Sequence, residues 1–201
     1  MNDVQLNVWN IQEQLLKSRV IKCYGEVNAK MAYEVNSCLD VLSNDDPSAP
    51  IKLEINTGGG DVLAGLSICD KIKTIPNPVI AINYGLCMSM GTVISSSCDV
   101  ALAGENCQFM IHEVSSGCQG KLRDQKNEVE FSEKLNKRCF NILSTKTKKT
   151  YDQLMSDAVR ELYLNADEAK EYGLIDGILK PAQKELSGVK DFVTSLCKNE
   201  N

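Results

Sequence analysis

Ile51-Lys52-Leu53-Glu54-Ile55-Asn56-Thr57-Gly58-Gly59-Gly60-Asp61-Val62 reads as a strand, a glycine turn and a helix start with no linker between them. Ile51, Leu53 and Ile55 alternate with Lys52 and Glu54, the period of a half-buried strand. Three glycines break that period. From Asp61, a residue type that caps helices, Val62, Leu66, Cys69 and Ile72 recur at helical spacing. Pro76-Asn77-Pro78 stops the helix, Val79-Ile80-Ala81-Ile82 reads as a buried strand, and Asn83-Tyr84-Gly85 reads as the turn that closes it.

Outward from there the pattern repeats. A second helix is predicted from about Met88 to Ser97, then strands at Val100-Ala101-Leu102-Ala103 and Gln108-Phe109-Met110-Ile111. The order β-α-β-α-β implies an α/β fold with a mostly parallel sheet and right-handed crossovers. Residues 121–146 place Leu122, Val129, Leu135, Cys139 and Ile142 along one side and Arg123, Glu128, Glu130, Lys134 and Lys137 around the rest. This is a long, charged, amphipathic helix that packs on the domain or reaches a neighbouring subunit.

At 201 residues the chain is expected to form a single domain, 1–201. The net charge of −5 weighs against nucleic-acid binding. The basic run Lys146-Thr147-Lys148-Lys149 closes a helical pattern, where it complements the helix dipole. Nine cysteines form no CxxC pair and accompany one histidine, so no metal is expected. Met1-Asn2-Asp3-Val4-Gln5 has no signal-peptide character and no apolar run is long enough for a bilayer, so no membrane is expected. Free thiols then point to a reducing cytoplasm.

His112, in Phe109-Met110-Ile111-His112-Glu113, is the only histidine. A Ser-His-acid hydrolase needs one imidazole as general base, so in such an enzyme His112 must be it; otherwise it is a partly buried structural residue. Ser89, in Gly85-Leu86-Cys87-Met88-Ser89-Met90-Gly91, lies near a helix N-terminus, where free N–H groups favour negative charge. It is either a nucleophile on a strand-to-helix turn or a helix cap. The match to G-x-S-x-G is incomplete, because Cys87 stands where the first glycine belongs. Cys87 is read as packing rather than as a thiol nucleophile. Gly58-Gly59-Gly60 lacks both the dinucleotide fingerprint and a phosphate-loop ending, which leaves an oxyanion hole or a tight turn with positive φ.

Five ordered segments resemble one family, the proteolytic subunit of the ATP-dependent Clp protease, over about residues 9–179. Ile55-Asn56-Thr57-Gly58-Gly59-Gly60-Asp61-Val62 is similar to its Ile-Asn-Ser-Pro-Gly-Gly-x-Val, Cys87-Met88-Ser89-Met90-Gly91 to its Ala-Ala-Ser-Met-Gly, and Met110-Ile111-His112 to its Met-Ile-His. Gly117-Cys118-Gln119-Gly120 is similar to Gly-Phe-Gln-Gly. Leu164-Asn165-Ala166-Asp167-Glu168-Ala169-Lys170-Glu171-Tyr172-Gly173-Leu174-Ile175-Asp176 is similar to the closing Ser-Ala-x-Glu-Ala-x-Glu-Tyr-Gly-Leu-Ile-Asp. The resemblance implies the ClpP/crotonase-like fold of repeated β-β-α and βαβ units with a protruding long helix, followed here by a tail at 180–201.

It also implies a serine endopeptidase acting on unfolded polypeptides or short peptides without a cofactor. Ser89 would be the nucleophile, His112 the base and Glu161 the acid, with Gly60 and Met90 N–H groups forming the oxyanion hole. Val114, Gly117 and Gly120 would lie on an edge to which a substrate strand adds. Glu161, in Arg160-Glu161-Leu162-Tyr163, stands where the family has aspartate; its extra methylene requires the backbone to retreat, and Asp157 is the alternative acid. The implied assembly is a homo-oligomer of two stacked heptameric rings, a tetradecamer, with Arg160 at the inter-ring contact. An AAA+ unfoldase is the implied partner, though only about nine residues precede the first helix, at Asn10–Leu16, which weighs against it. Other readings are a silent ring subunit, a phage-type head-maturation protease of the same fold, and a crotonase-like acyl-CoA enzyme.

Overall fold

The computed structural model describes residues 8–182; residues 1–7 and most of the expected tail, with Cys197, lie outside it. The opening motif folds as its pattern dictates. Strand β2 (Ile51–Thr57) buries Ile51, Leu53, Ile55 and Thr57 on one face. Helix α3 (Val62–Thr74) follows, with the Asp61 carboxylate accepting from the Ala64 N–H at 2.6 Å, the expected cap. Helix α1 (Val8–Lys17), strand β1 (Val20–Tyr24) and helix α2 (Ala29–Asp45) precede them.

Strands β1, β2, β3 (Val79–Met88), β4 (Val100–Ala103) and β7 (Gly177–Ile178) pair in that order, all parallel. Strand β5 (Gln108–Ile111) pairs in parallel with the far end of β3. The short β6 (Leu162–Leu164) adds to β5 antiparallel. Helices α2, α3 and the wholly buried α4 (Met90–Ser97) pack together on the sheet around one apolar cluster.

One element differs from expectation and shapes the site. Asn83-Tyr84-Gly85 does not end β3; the strand runs on to Met88. Its first half pairs with β2 and β4 through Asn83, and its second half pairs with β5 from Leu86. Between them the register with β2 jumps from Ile55↔Asn83 to Thr57↔Cys87. Gly85 takes φ 61°, and the Asn56 side-chain oxygen accepts from the Leu86 N–H at 3.1 Å. Turn-forming residues here make a bulge that transfers the strand from one neighbour to another. Helix α4 accordingly starts at Met90 rather than near Met88, and Cys87 lies on a strand rather than at a helix start.

The long helix α5 (Leu122–Thr147) is present, but its stripe is used unevenly. Asn136, Cys139, Phe140, Leu143 and Thr147 are buried, whereas Leu122, Val129 and Phe131 are exposed at 69 %, 49 % and 45 %. The buried residues lie in its second half, and the helix packs against α4 and α6 (Tyr151–Asp157). Lys146 in its last turn pairs with Asp176 at 2.6 Å. Helix α7 (Ala166–Tyr172) then leads to β7, closed by Gly173 at φ 93°. Among the described residues no helix is long and apolar enough to cross a membrane.

Candidate active site

The bulge in β3 delivers Ser89 to a sharp corner. Its N–H continues the sheet by donating to the Met110 carbonyl at 2.9 Å, and its own carbonyl accepts from Thr92 and Val93 as α4 begins. Joining strand to helix without a linker puts Ser89 at φ 53°, ψ −121°. For a residue with a Cβ this is a strained conformation, costing about 1–3 kcal/mol, held only because its surroundings leave no alternative.

Two contacts hold it. Thr92 is buried in the first turn of α4 and its hydroxyl reaches the Cys87 carbonyl at 2.7 Å and the Met110 carbonyl at 3.0 Å, tying β3 to β5 behind the serine. On the other side Gly59, at φ 100°, packs so closely that a Cβ there would sit 2.6 Å from that of Ser89. The turn reading of the triple glycine is thus correct for Gly59 and for Gly60, at φ 147°, which lies against the Val27 backbone. Gly58 has open space where a Cβ would be.

Ser89 occupies the cap position of α4, yet its side chain makes no capping bond. The hydroxyl instead faces His112, with Oγ and Nε2 2.7 Å apart. With the hydroxyl donating to Nε2, the imidazole carries its proton on Nδ1. His112 is the first residue beyond β5, so two adjacent strand ends aim the serine hydroxyl and the imidazole at each other.

Donors for an oxyanion lie beside them. The parallel bridge of Gly60 with Val27 uses the Gly59 carbonyl and the Asp61 N–H, which leaves the Gly60 N–H outside it. Met90 opens α4, where an N–H has no partner within the helix. Gly60, Ser89, Met90, His112 and Val114 all line one cavity of about 270 Å³. Its floor is apolar, with Val62, Val93, Cys139, Phe140 and Leu143. Among the described residues, no three His, Cys, Asp or Glu side chains converge as a metal would require.

Beyond His112 the chain runs without regular structure to Gly120. Two anchors from α5 hold it. Asn136, itself buried, accepts from the Val114 N–H at 2.9 Å, and the Ser132 hydroxyl donates to that of Ser116 at 3.0 Å. Gly117 and Gly120 are exposed, away from the cavity.

The two candidate acids, Glu161 and Asp157, each bond a tyrosine hydroxyl. Glu161 immediately precedes β6, whose Leu162 pairs with Ile111, so it stands one step past the last pair on the side of His112. Its carboxylate accepts from the Tyr163 hydroxyl at 2.7 Å; that is its partner among the described hydrogen bonds, as Ser89 is for His112. Asp157 is engaged elsewhere. It accepts from the Tyr172 hydroxyl at 2.6 Å, and burial together with that carboxylate pushes the Tyr172 phenol upward. Arg160 is exposed and forms no ion pair among the described residues. Cys87 is fully buried, and its desolvation pushes the thiol well above its ordinary range. A thiolate there is disfavoured.

Sequence reasoning missed Thr92, Asn136 and Tyr163. Each acts through tertiary neighbours and belongs to no local pattern.

A model of the Clp protease family matches residues 3–182. The chain is 33 % identical over 171 residues to a protein of Rhodococcus jostii named ATP-dependent Clp protease proteolytic subunit 3, covering 84 % of this chain and 85 % of that one. It is 32 % identical over 182 residues to the ATP-dependent Clp protease proteolytic subunit of Deinococcus radiodurans, covering 90 % and 89 %.

Proposed function

The chain belongs to the Clp protease family, and from that premise we propose that it is a serine endopeptidase with Ser89 as nucleophile and His112 as base. One observation carries the assignment: a strained serine at a strand-to-helix corner, 2.7 Å from the chain's only imidazole, in a cavity that Gly60 and Met90 also line.

In the reaction Ser89 Oγ attacks the carbonyl carbon of a peptide bond while His112 Nε2 takes its proton. The carbonyl oxygen becomes an oxyanion held by the Gly60 and Met90 N–H groups; losing one such donor typically raises the barrier by about 3–4 kcal/mol. Collapse breaks the C–N bond as His112 returns the proton to the leaving amine. Water, deprotonated by the same imidazole, then hydrolyses the acyl-serine. Glu161 would accept from His112 Nδ1 and steady the imidazolium. The apolar floor suits an apolar side chain next to the cleaved bond. The open edge at 114–120 suits an extended chain bound through its backbone, with Val114, Gly117 and Gly120 along it.

The exposed apolar half of α5 supports a ring assembly, two stacked heptamers in the family reading, with Arg160 at the contact between rings. One sheet and one core cluster over the described residues support a single protease domain. The relatives' names, which call them subunits of an ATP-dependent protease, support an ATP-driven unfoldase as partner. Eight unpaired cysteines among the described residues suit a reducing cytoplasm.

Purified protein should hydrolyse fluorogenic peptides, and Ser89→Ala should abolish this while keeping the solution mass of the assembly. Persistent hydrolysis by Ser89→Ala would refute the assignment. One observation favours a second reading, a silent ring subunit: the Glu161 carboxylate is bonded to Tyr163 rather than to His112. Absence of wild-type turnover would select it.

A further inference from the structure

We propose that Tyr163 is a positioning residue for this site: its hydroxyl holds one oxygen of Glu161 so that the other is presented to His112. This deepens the endopeptidase reading and rests on it.

The register of the last two strands carries the argument. Strands β5 and β6 run antiparallel, with Met110 opposite Tyr163 and Ile111 opposite Leu162. His112 and Glu161 are the residues that follow at the same offset, one step beyond the last pair. Directly opposed residues of an antiparallel pair project to the same face, about 4.5–5.5 Å apart at Cβ. Residues two apart on one strand also share a face. Continued by that one step, the register puts Met110, His112, Glu161 and Tyr163 on one face, with Glu161 next to both His112 and Tyr163.

A carboxylate accepts on both oxygens. Here Oε2 takes the Tyr163 hydroxyl at 2.7 Å, and Oε1 has no partner among the described hydrogen bonds. The second oxygen remains available to Nδ1–H of His112, whose Nε2 is committed to Ser89. Glutamate has one more rotatable bond than aspartate and so more freedom to lose on being fixed. A tether from the same strand removes that freedom, and so compensates for the extra methylene. The Tyr163 phenol is pushed upward by its bond to the Glu161 carboxylate, so the tether persists across the pH range of a protease.

Tyr163 is also 56 % exposed. Its hydroxyl adds little to the core, so removing it should be felt in turnover rather than in folding.

The test is a double-mutant cycle on peptide hydrolysis at saturating substrate, with the solution mass of each variant checked. Tyr163→Phe should lower kcat about tenfold, the scale of a hydrogen bond to a charged group, with KM unchanged within about twofold. The same change placed on Glu161→Gln should cost nothing further. Unchanged kcat, or an equal loss in both backgrounds, overturns the proposal. If Tyr163→Phe loses its assembly, a crystal structure of wild type phosphonylated at Ser89 decides. Both Glu161 oxygens engaged, by Tyr163 and by His112, supports the tether, and Glu161 turned away from His112 overturns it. Ser89→Ala serves as the separate control: undiminished hydrolysis there overturns the endopeptidase reading, and this one with it.

Discussion

The Ser89 corner and the Glu161 rim of this protein are built by opposite means. Ser89 and His112 stand at the ends of adjacent parallel strands, with Thr92 bonded behind and Gly59 packed in front. Glu161 stands at the start of a three-residue edge strand, exposed, and held by the hydroxyl of a residue itself more than half exposed. Core packing positions the first pair, whereas one hydrogen bond at the surface holds Glu161.

The contrast can be broken most strongly at the Ser89 corner. His112→Ala should reduce kcat by a factor on the order of 10⁶, as loss of the base does in serine proteases, measured on a mass-checked assembly. A modest loss would show that the corner does not work as a unit. At the rim, Glu161→Gln keeps the shape but disfavours the useful tautomer and should cost roughly 10⁴ in turnover. Glu161→Asp should also be slower than wild type, because a hydrogen bond needs about 2.6–3.2 Å between heavy atoms and the shorter chain falls short of that reach. Equal turnover for all three would release Glu161 from the role and turn attention to Asp157.

Changes that leave the reacting groups in place should separate the two regions by stability. Thr92→Val removes a buried hydroxyl shared by two carbonyls, so unfolding should become easier by about 1–3 kcal/mol, read by urea titration, with kcat falling as the Ser89 corner loosens. Cys87→Ala should leave turnover within a few-fold and lower stability by about 1–2 kcal/mol, through lost packing alone. A thousandfold loss of turnover would reverse the roles of Cys87 and Ser89.

The smallest effect is in acid. Burial raises the Asp176 carboxyl, but the Lys146 ammonium and the Ala101 N–H outweigh it, and the net shift is downward. A carboxyl lowered on folding contributes stability above its unfolded value, near 3.9, and loses it as pH falls through the folded value. Asp176→Asn should therefore flatten the decline in stability below about pH 4, with little change in activity.

Much of this arrangement was legible in the sequence. Alternation at Ile51–Ile55, the glycine break and the Asp61 cap predict a strand, turn and helix, and the structure has them at the expected positions. Ser89 and His112 could be selected because one is at a predicted helix start and the other is the only imidazole. The continuation of β3 was not legible. Asn83-Tyr84-Gly85 carries turn chemistry, and only pairing with β5 and the Asn56 side chain turns that chemistry into a bulge. The full apolar stripe of α5 was legible, but which half is buried depends on where α4 and α6 end. Tyr163 was quoted only as a neighbour of Glu161, since a contact between residues two apart has meaning once both are known to lie on the face of His112.

Intact-mass analysis after treatment with a peptidyl phosphonate that traps activated serines tests the central claim most directly. One adduct per chain is predicted, mapped to Ser89 by fragmentation, formed by wild type and lost in His112→Ala. Wild type left unlabelled, or an adduct mapped to any other residue, would contradict it.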